Sequence, residues 1–268
     1  MNEYFLEERG LYYRTNRFSA ARPTFVFVHG LSGSSSAWAP YEARFENDFN
    51  VVTFDLRGHG KSLKPWRYEN YSMRHFAEDL DALLAHLHIE KCILIAHSFA
   101  TLFAFDFLGR HPEKIGRLVL LSPSAHIGTR VIEKILNILL IPLPLLQYLP
   151  QRRTRGWHVD YRYFPDSGDW NLRRMWADVR NTTLRVYLFC TRQVQDADYE
   201  AVLPRISVPT LLIHGTSDTI FPVRNSIMMK EKIPRSRLIL VENADNILVL
   251  NNADEVSDAI EAFLREVY

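Results

Sequence analysis

Short apolar runs alternate with helix-period stretches along most of the chain. Thr24-Phe25-Val26-Phe27-Val28 is apolar without alternation, and residues 51–54, 92–96, 118–121 and 209–213 are similar. Runs of this length with no polar face predict strands buried on both sides. Between them, residues 72–86 place Phe76, Leu80, Leu83, Leu84 and Leu87 on one helical face, and 99–110 reads as a second helix. Residues 4–6 and 11–14 flank Glu8-Arg9-Gly10 and predict an opening hairpin. Near the C-terminus a helix is expected from about Pro222, a strand over 237–241 and an amphipathic helix from Ala253. The order predicts an α/β fold: a mostly parallel sheet flanked by helices, joined by right-handed crossovers.

The alternation breaks between residues 124 and 203. That stretch has no strand period and carries Trp157, Tyr161, Tyr163, Phe164, Trp170 and Trp176. It predicts an inserted helical cap or lid (124–203) on a core made of 1–123 and 204–268. Within it, residues 132–149 are rich in Ile and Leu and are followed by Arg152, Arg153 and Arg155. Glu133, Lys134, Pro142 and Pro144 make the run too short and too broken to span a bilayer. Two readings stand: an apolar lid helix over a pocket, which is the expected one, and an interfacial segment with a basic flank, so that any membrane contact would come through the cap.

Composition changes this picture little. The 268 residues include 32 Lys and Arg against 31 Asp and Glu, mixed along the chain, so no nucleic-acid footprint is expected. Cys92 and Cys190 are the only cysteines; Cys92 lies in a strand run and reads as a small hydrophobe. No signal-peptide pattern opens the sequence, and a cytoplasmic location is the default expectation. No metal cluster, phosphate loop or dinucleotide fingerprint is visible, so no cofactor and no metal are expected.

The chemistry begins where the strand at 93–95 runs into Ala96-His97-Ser98-Phe99-Ala100 and a helix follows at once. A strand–turn–helix with a serine between small residues is the context of a nucleophile elbow. The usual glycines two before and two after the serine are alanines here, a mild departure. With His29-Gly30-Leu31-Ser32-Gly33, Asp55-Leu56-Arg57-Gly58-His59-Gly60-Lys61-Ser62 and His214-Gly215-Thr216-Ser217-Asp218, the chain resembles the α/β-hydrolase fold superfamily, serine esterase-like branch, over residues 5–267 apart from the cap. The resemblance implies that Ser98 is the nucleophile, that the backbone N–H groups of Leu31 and Phe99 form an oxyanion hole, and that Asp218 orients the base.

It also implies a histidine in the loop before the last helix, and that position is held by Asn246. No histidine follows His214, so a small shift in alignment does not recover one. Asparagine cannot take up a proton near neutral pH. His126 is the candidate stand-in base, and Asp245 a weaker one. His97 is expected to point away from the serine, and His29, His59 and His214 to orient loops.

The expected activity is hydrolysis of a small or medium apolar carboxylic ester or related acyl substrate, severely impaired by Asn246. The alternative is a non-catalytic ligand-binding or receptor protein using the same pocket. Trp38, His126, Ile220 and Ile247 are the candidate substrate-binding residues. The partner class is a small acyl molecule.

Overall fold

The computed structural model describes residues 1–126, 142–150 and 156–265. Eight strands form one sheet: β1 Asn2–Leu6, β2 Leu11–Thr15, β3 Thr24–Val28, β4 Asn50–Phe54, β5 Cys92–His97, β6 Ile115–Leu121, β7 Thr210–Gly215 and β8 Ser236–Val241, in the order β1-β2-β4-β3-β5-β6-β7-β8. β1 and β2 form the predicted antiparallel hairpin, β2 is antiparallel to β4, and every other pairing is parallel. The mostly parallel α/β sheet is therefore present.

Alternate residues of the central strands feed two cores. Phe25, Phe27, Ile93, Ile95, Val119 and Ile213 pack on one face with helices α1 (Ala39–Phe45) and α8 (Ala253–Arg265). Val26, Val28, Leu94, Leu118, Leu120 and Leu212 pack on the other with α2 (Met73–His86) and α3 (Phe99–Arg110). α3 is buried almost all round, from Phe99 through Leu108, which is why its sequence shows no polar stripe. α1 was not expected from sequence. It has seven residues, with Pro40 in its first turn and only Tyr41 and Phe45 to mark an apolar face.

Between β6 and β7 the described residues form no sheet strand; they include helices α4 (Leu172–Thr182) and α5 (Leu184–Asp196). The lid helix expected over 132–149 lies outside the described residues up to 141. Residues 143–148 form a 3-10 turn, because Pro142 and Pro144 remove the N–H groups a longer helix needs. α6 (Val223–Lys232) and the short α7 (Leu248–Asn251) complete the core. Among the described residues no helix is long and apolar enough to cross a membrane.

Candidate active site

β5 ends at His97 and α3 starts at Phe99, so Ser98 makes the whole turn, with φ 51° and ψ −114°. A non-glycine residue at that φ stores on the order of 1–3 kcal/mol, held here by the elements on either side. Ala96 and Ala100, two residues before and after it, are fully buried. The Ser98 N–H donates to the Leu121 carbonyl on the neighbouring strand (2.8 Å), and Thr101 Oγ1 donates to the Ser98 carbonyl (2.7 Å). The Ser98 hydroxyl itself has no hydrogen-bond partner among the described residues.

Gly30 comes close enough to the elbow that a Cβ on it would stand 2.8 Å from His97 Nδ1 and 3.4 Å from Ser98 Cβ. Glycine is required for this approach. It brings the loop at 30–33 against the turn at Ser98. The N–H groups of Leu31 and Phe99 meet no acceptor among the described residues. His29 orients this loop: its Nε2 accepts from Leu56 N–H (3.0 Å) and its Nδ1 donates to the Gly30 carbonyl (2.8 Å). Burial lowers His29 to about 4, which keeps it neutral.

Asp218 follows β7. Its Oδ1 accepts the N–H groups of Ile220 (2.9 Å) and Phe221 (2.8 Å), and its Oδ2 accepts Asn246 Nδ2 (2.9 Å) and lies 3.2 Å from His214 Nε2. Burial raises this carboxyl, but the hydrogen bonds from His214, Asn246 and Phe221 outweigh it and hold Asp218 below the usual carboxylate range. The His214 ring donates from Nε2 to the Phe221 carbonyl (2.9 Å) and accepts from the Ser226 hydroxyl at Nδ1 (2.6 Å).

Asn246 is 4% exposed. Its side-chain amide donates from Nδ2 to Asp218 Oδ2 (2.9 Å). Its carbonyl accepts His97 Nε2 (2.8 Å), and its N–H donates to Asp169 Oδ1 (2.9 Å). Only its Oδ1 is without a partner among the described residues.

Asp169, which carried no signal in the sequence, joins the two loops of this site. Besides holding Asn246 N–H, its Oδ2 accepts both the N–H (3.0 Å) and the hydroxyl (2.7 Å) of Thr219. Its own N–H donates to Asp245 Oδ2 (2.9 Å), and Trp170 Nε1 donates to Thr219 Oγ1 (2.9 Å). Further along, α4 covers the oxyanion loop: Asn181 Nδ2 donates to the Gly33 carbonyl and Thr182 Oγ1 to the Ser32 carbonyl, both at 3.3 Å. Within α4, Arg174 pairs with Asp178 (2.7 Å), which also accepts Tyr161 OH (3.0 Å). Burial raises Asp178 to about 6. Tyr161, Arg174, Gly30, Leu31, His97 and Ile247 border a cavity of about 40 Å³, room for a water molecule.

Several candidate residues stand elsewhere than the sequence suggested. Trp38 is fully buried against Phe27 and Tyr41, reaching only the wall of the small cavity, because the turn at 35–38 packs it into the sheet. His126 is not a stand-in base: its Nδ1 lies 2.7 Å from Glu200, and its backbone bridges to Asp198. Asp245 is spent on the N–H groups of Asp169 and Ile247. Ile220 is 41% exposed at the acid turn, and Ile247 lines the small cavity.

Asp55 anchors the turn after β4, accepting Ser35 N–H, Lys61 N–H and His158 Nε2, each at 2.7 Å. Cys92 is buried, and burial pushes its thiol up to about 12, so it is no nucleophile. Among the described residues no group of three His, Cys, Asp or Glu side chains could hold a metal ion.

A mostly parallel sheet whose strand β5 turns through a serine of positive φ straight into a buried helix has the strand–turn–helix form of a nucleophile elbow. Residues 23–253 match the profile of the alpha/beta hydrolase fold, and the chain belongs to that family. It is 26% identical over 246 residues to 3-oxoadipate enol-lactonase 2 of Acinetobacter baylyi, covering 92% of this chain and 90% of that protein. The crystal structure of a hydrolase from Pseudomonas aeruginosa PA01 superposes with a TM-score of 0.76 at 21% identity, over 96% of this chain and 94% of that one. The enol-lactonase from Burkholderia xenovorans LB400 superposes at 0.72 and 23% identity, over 96% of each chain. These structural likenesses concern the fold.

Proposed function

We propose that the chain is a serine hydrolase scaffold for a small or medium apolar carboxylic ester or related acyl substrate, with Ser98 as nucleophile and with turnover severely impaired at Asn246. The observation that carries this reading is the pairing of Asn246 Nδ2 with Asp218 beside a Ser98 hydroxyl that has no acceptor among the described residues. Attack by Ser98 on an acyl carbon would place the developing oxyanion against the N–H groups of Leu31 and Phe99. The hydroxyl proton then has nowhere to go. Asp218 is held as a carboxylate, but its partner on the loop after β8 is the Asn246 amide, and an amide cannot relay the proton. Removal of one triad member leaves roughly 10³–10⁴-fold catalysis over water, supplied by binding and the oxyanion donors.

The Asn246 amide also favours a second reading, a ligand-binding protein that keeps the hydrolase pocket without the reaction. Turnover of p-nitrophenyl acetate and butyrate by this chain and by Asn246→His separates the two. A gain on the order of 10³-fold in the histidine variant supports the impaired hydrolase. No gain in a folded variant supports the binding protein.

A further inference from the structure

A second cavity, of about 560 Å³, lies between the first turn of α1, the segment 158–166 and the end of α7. Ser98, Leu31, Phe99, Asp218 and Asn246 have no part in its walls, which are mostly apolar: Pro40, Val159, Phe164, Pro165 and Leu250. One polar group is built into them. His158 borders the cavity, and its Nε2 donates to Asp55 Oδ2 (2.7 Å). Asp55 is fully buried and also accepts the N–H groups of Ser35 and Lys61. Burial raises this carboxyl, but the hydrogen bonds from His158 and Ser35 outweigh it and hold Asp55 at about 2. A carboxylate only accepts, so Nε2 carries a proton and Nδ1 of the neutral ring is an acceptor. Nδ1 has no partner among the described residues, the side chain is 15% exposed, and the Tyr12 ring packs edge-on against the imidazole at 5.0 Å.

The other polar side chains of the walls are largely engaged. Ser36 Oγ donates to the Val159 carbonyl (2.8 Å), Tyr161 OH to Asp178 (3.0 Å) and Asn251 Nδ2 to the Ser167 carbonyl (3.2 Å). Arg162 closes on Asp160 through two N–H groups, at 2.9 and 2.7 Å. His158 Nδ1 is left, with the exposed Asp166 carboxylate at the rim. We infer that this cavity binds a neutral, mostly apolar molecule, a phenol or similar alcohol, whose hydroxyl donates to His158 Nδ1. An apolar pocket of this volume with one oriented polar group is the usual form of a small-molecule site. An anionic ligand would meet Asp166, whose charge no neighbouring cation cancels, and an ammonium would have to leave water for apolar walls. A hydroxyl carries no such cost and supplies the donor that Nδ1 lacks. The Asp55–His158 pair also ties segment 158–159 to the turn after β4, but that duty uses only Nε2.

This inference stands independently of the acyl-transfer reading. The probe is p-cresol, with its methyl ether as the control that has no donor. In titrations of the full chain p-cresol is expected to bind with Kd on the order of 1 mM. It should shift the nitrogen resonance of His158 Nδ1, assigned by its loss in His158→Gln. The ether is expected to bind roughly tenfold more weakly. Ala39→Trp, which puts a ring at the cavity from an exposed position, is expected to weaken p-cresol binding by about tenfold with an unchanged thermal melt. Absence of saturable p-cresol binding overturns the inference, as does equal binding of the ether. Binding that Ala39→Trp leaves intact places the molecule in another pocket, the acyl site included, and overturns it too.

Discussion

Asn246 keeps every structural duty of the position it occupies. Its carbonyl receives His97, its N–H reaches Asp169, and its side-chain amide reaches Asp218. What it lacks is a second ring nitrogen that could face Ser98 and accept a proton. A histidine placed there would find Asp218 already held as a carboxylate by three other donors, so its Nδ1–H would be oriented without rebuilding the site. Asn246→His is therefore expected to gain turnover with little change in stability. Asp218→Asn added to that variant should cancel most of the gain, because an amide does not fix the tautomer. Ester turnover of the single and double variants checks this, and equal rates would count against an orienting role for Asp218.

At the scale of elements, the turn at 167–170 and the loops after β7 and β8 form one hydrogen-bonded unit. Asp169 holds Thr219 on the loop after β7 and Asn246 on the loop after β8, so it sets their separation. Misplacing a catalytic group by about 1 Å can cost on the order of 10²-fold in rate. In the Asn246→His background, Asp169→Ala is expected to lower kcat by roughly 10- to 100-fold with KM little changed; Asp169→Asn, which keeps one acceptor oxygen, should recover part of it. Unchanged kcat in the alanine variant would reduce Asp169 to a packing residue. The turn at Ser98 and the loops that carry Asp218 and Asn246 were legible from sequence because each is a short segment at the end of a strand run. Asp169 was not, since its partners are 50 and 77 residues away and no local spacing links them. The packing of Trp38 on Phe27 and the pairing of His126 with Glu200 were not legible either, because both partners lie outside the local sequence.

For the molecule as a whole, buried histidines dominate the response to acid. Burial lowers His29 to about 4 and His59 to about 3, and it lowers His97 as well. A base with a depressed folded value contributes stability that is complete above its unfolded value, near 6.5, and is lost as pH falls toward the folded value. Asp178 works in the opposite direction. Raised to about 6, it favours the fold at low pH and loses that contribution as pH rises from about 4 to 6. Burial raises Glu42 and Asp245 as well and lowers His75; the four lowered histidines outnumber the three raised carboxyls, so the melting temperature is expected to fall from pH 7 to pH 4.5. A flat profile across that range would mean that these rings are not held neutral. The strands and the mostly parallel sheet were readable from apolar runs, since strands buried on two faces carry no polar alternation; the strand order was not. The short α1 and the covering of the oxyanion loop by α4 were not, because both depend on tertiary packing rather than local period.

The central claim is that Ser98 is positioned for attack and lacks only a proton acceptor. The most direct measurement is the rate of fluorophosphonate labelling at Ser98 against pH, for this chain and for Asn246→His. The chain should label slowly, with no inflection near neutral pH. The histidine variant should label on the order of 10³-fold faster above an inflection near the ordinary histidine value of about 6.5. Equal labelling rates in the two proteins, or labelling that survives Ser98→Ala, would contradict the account.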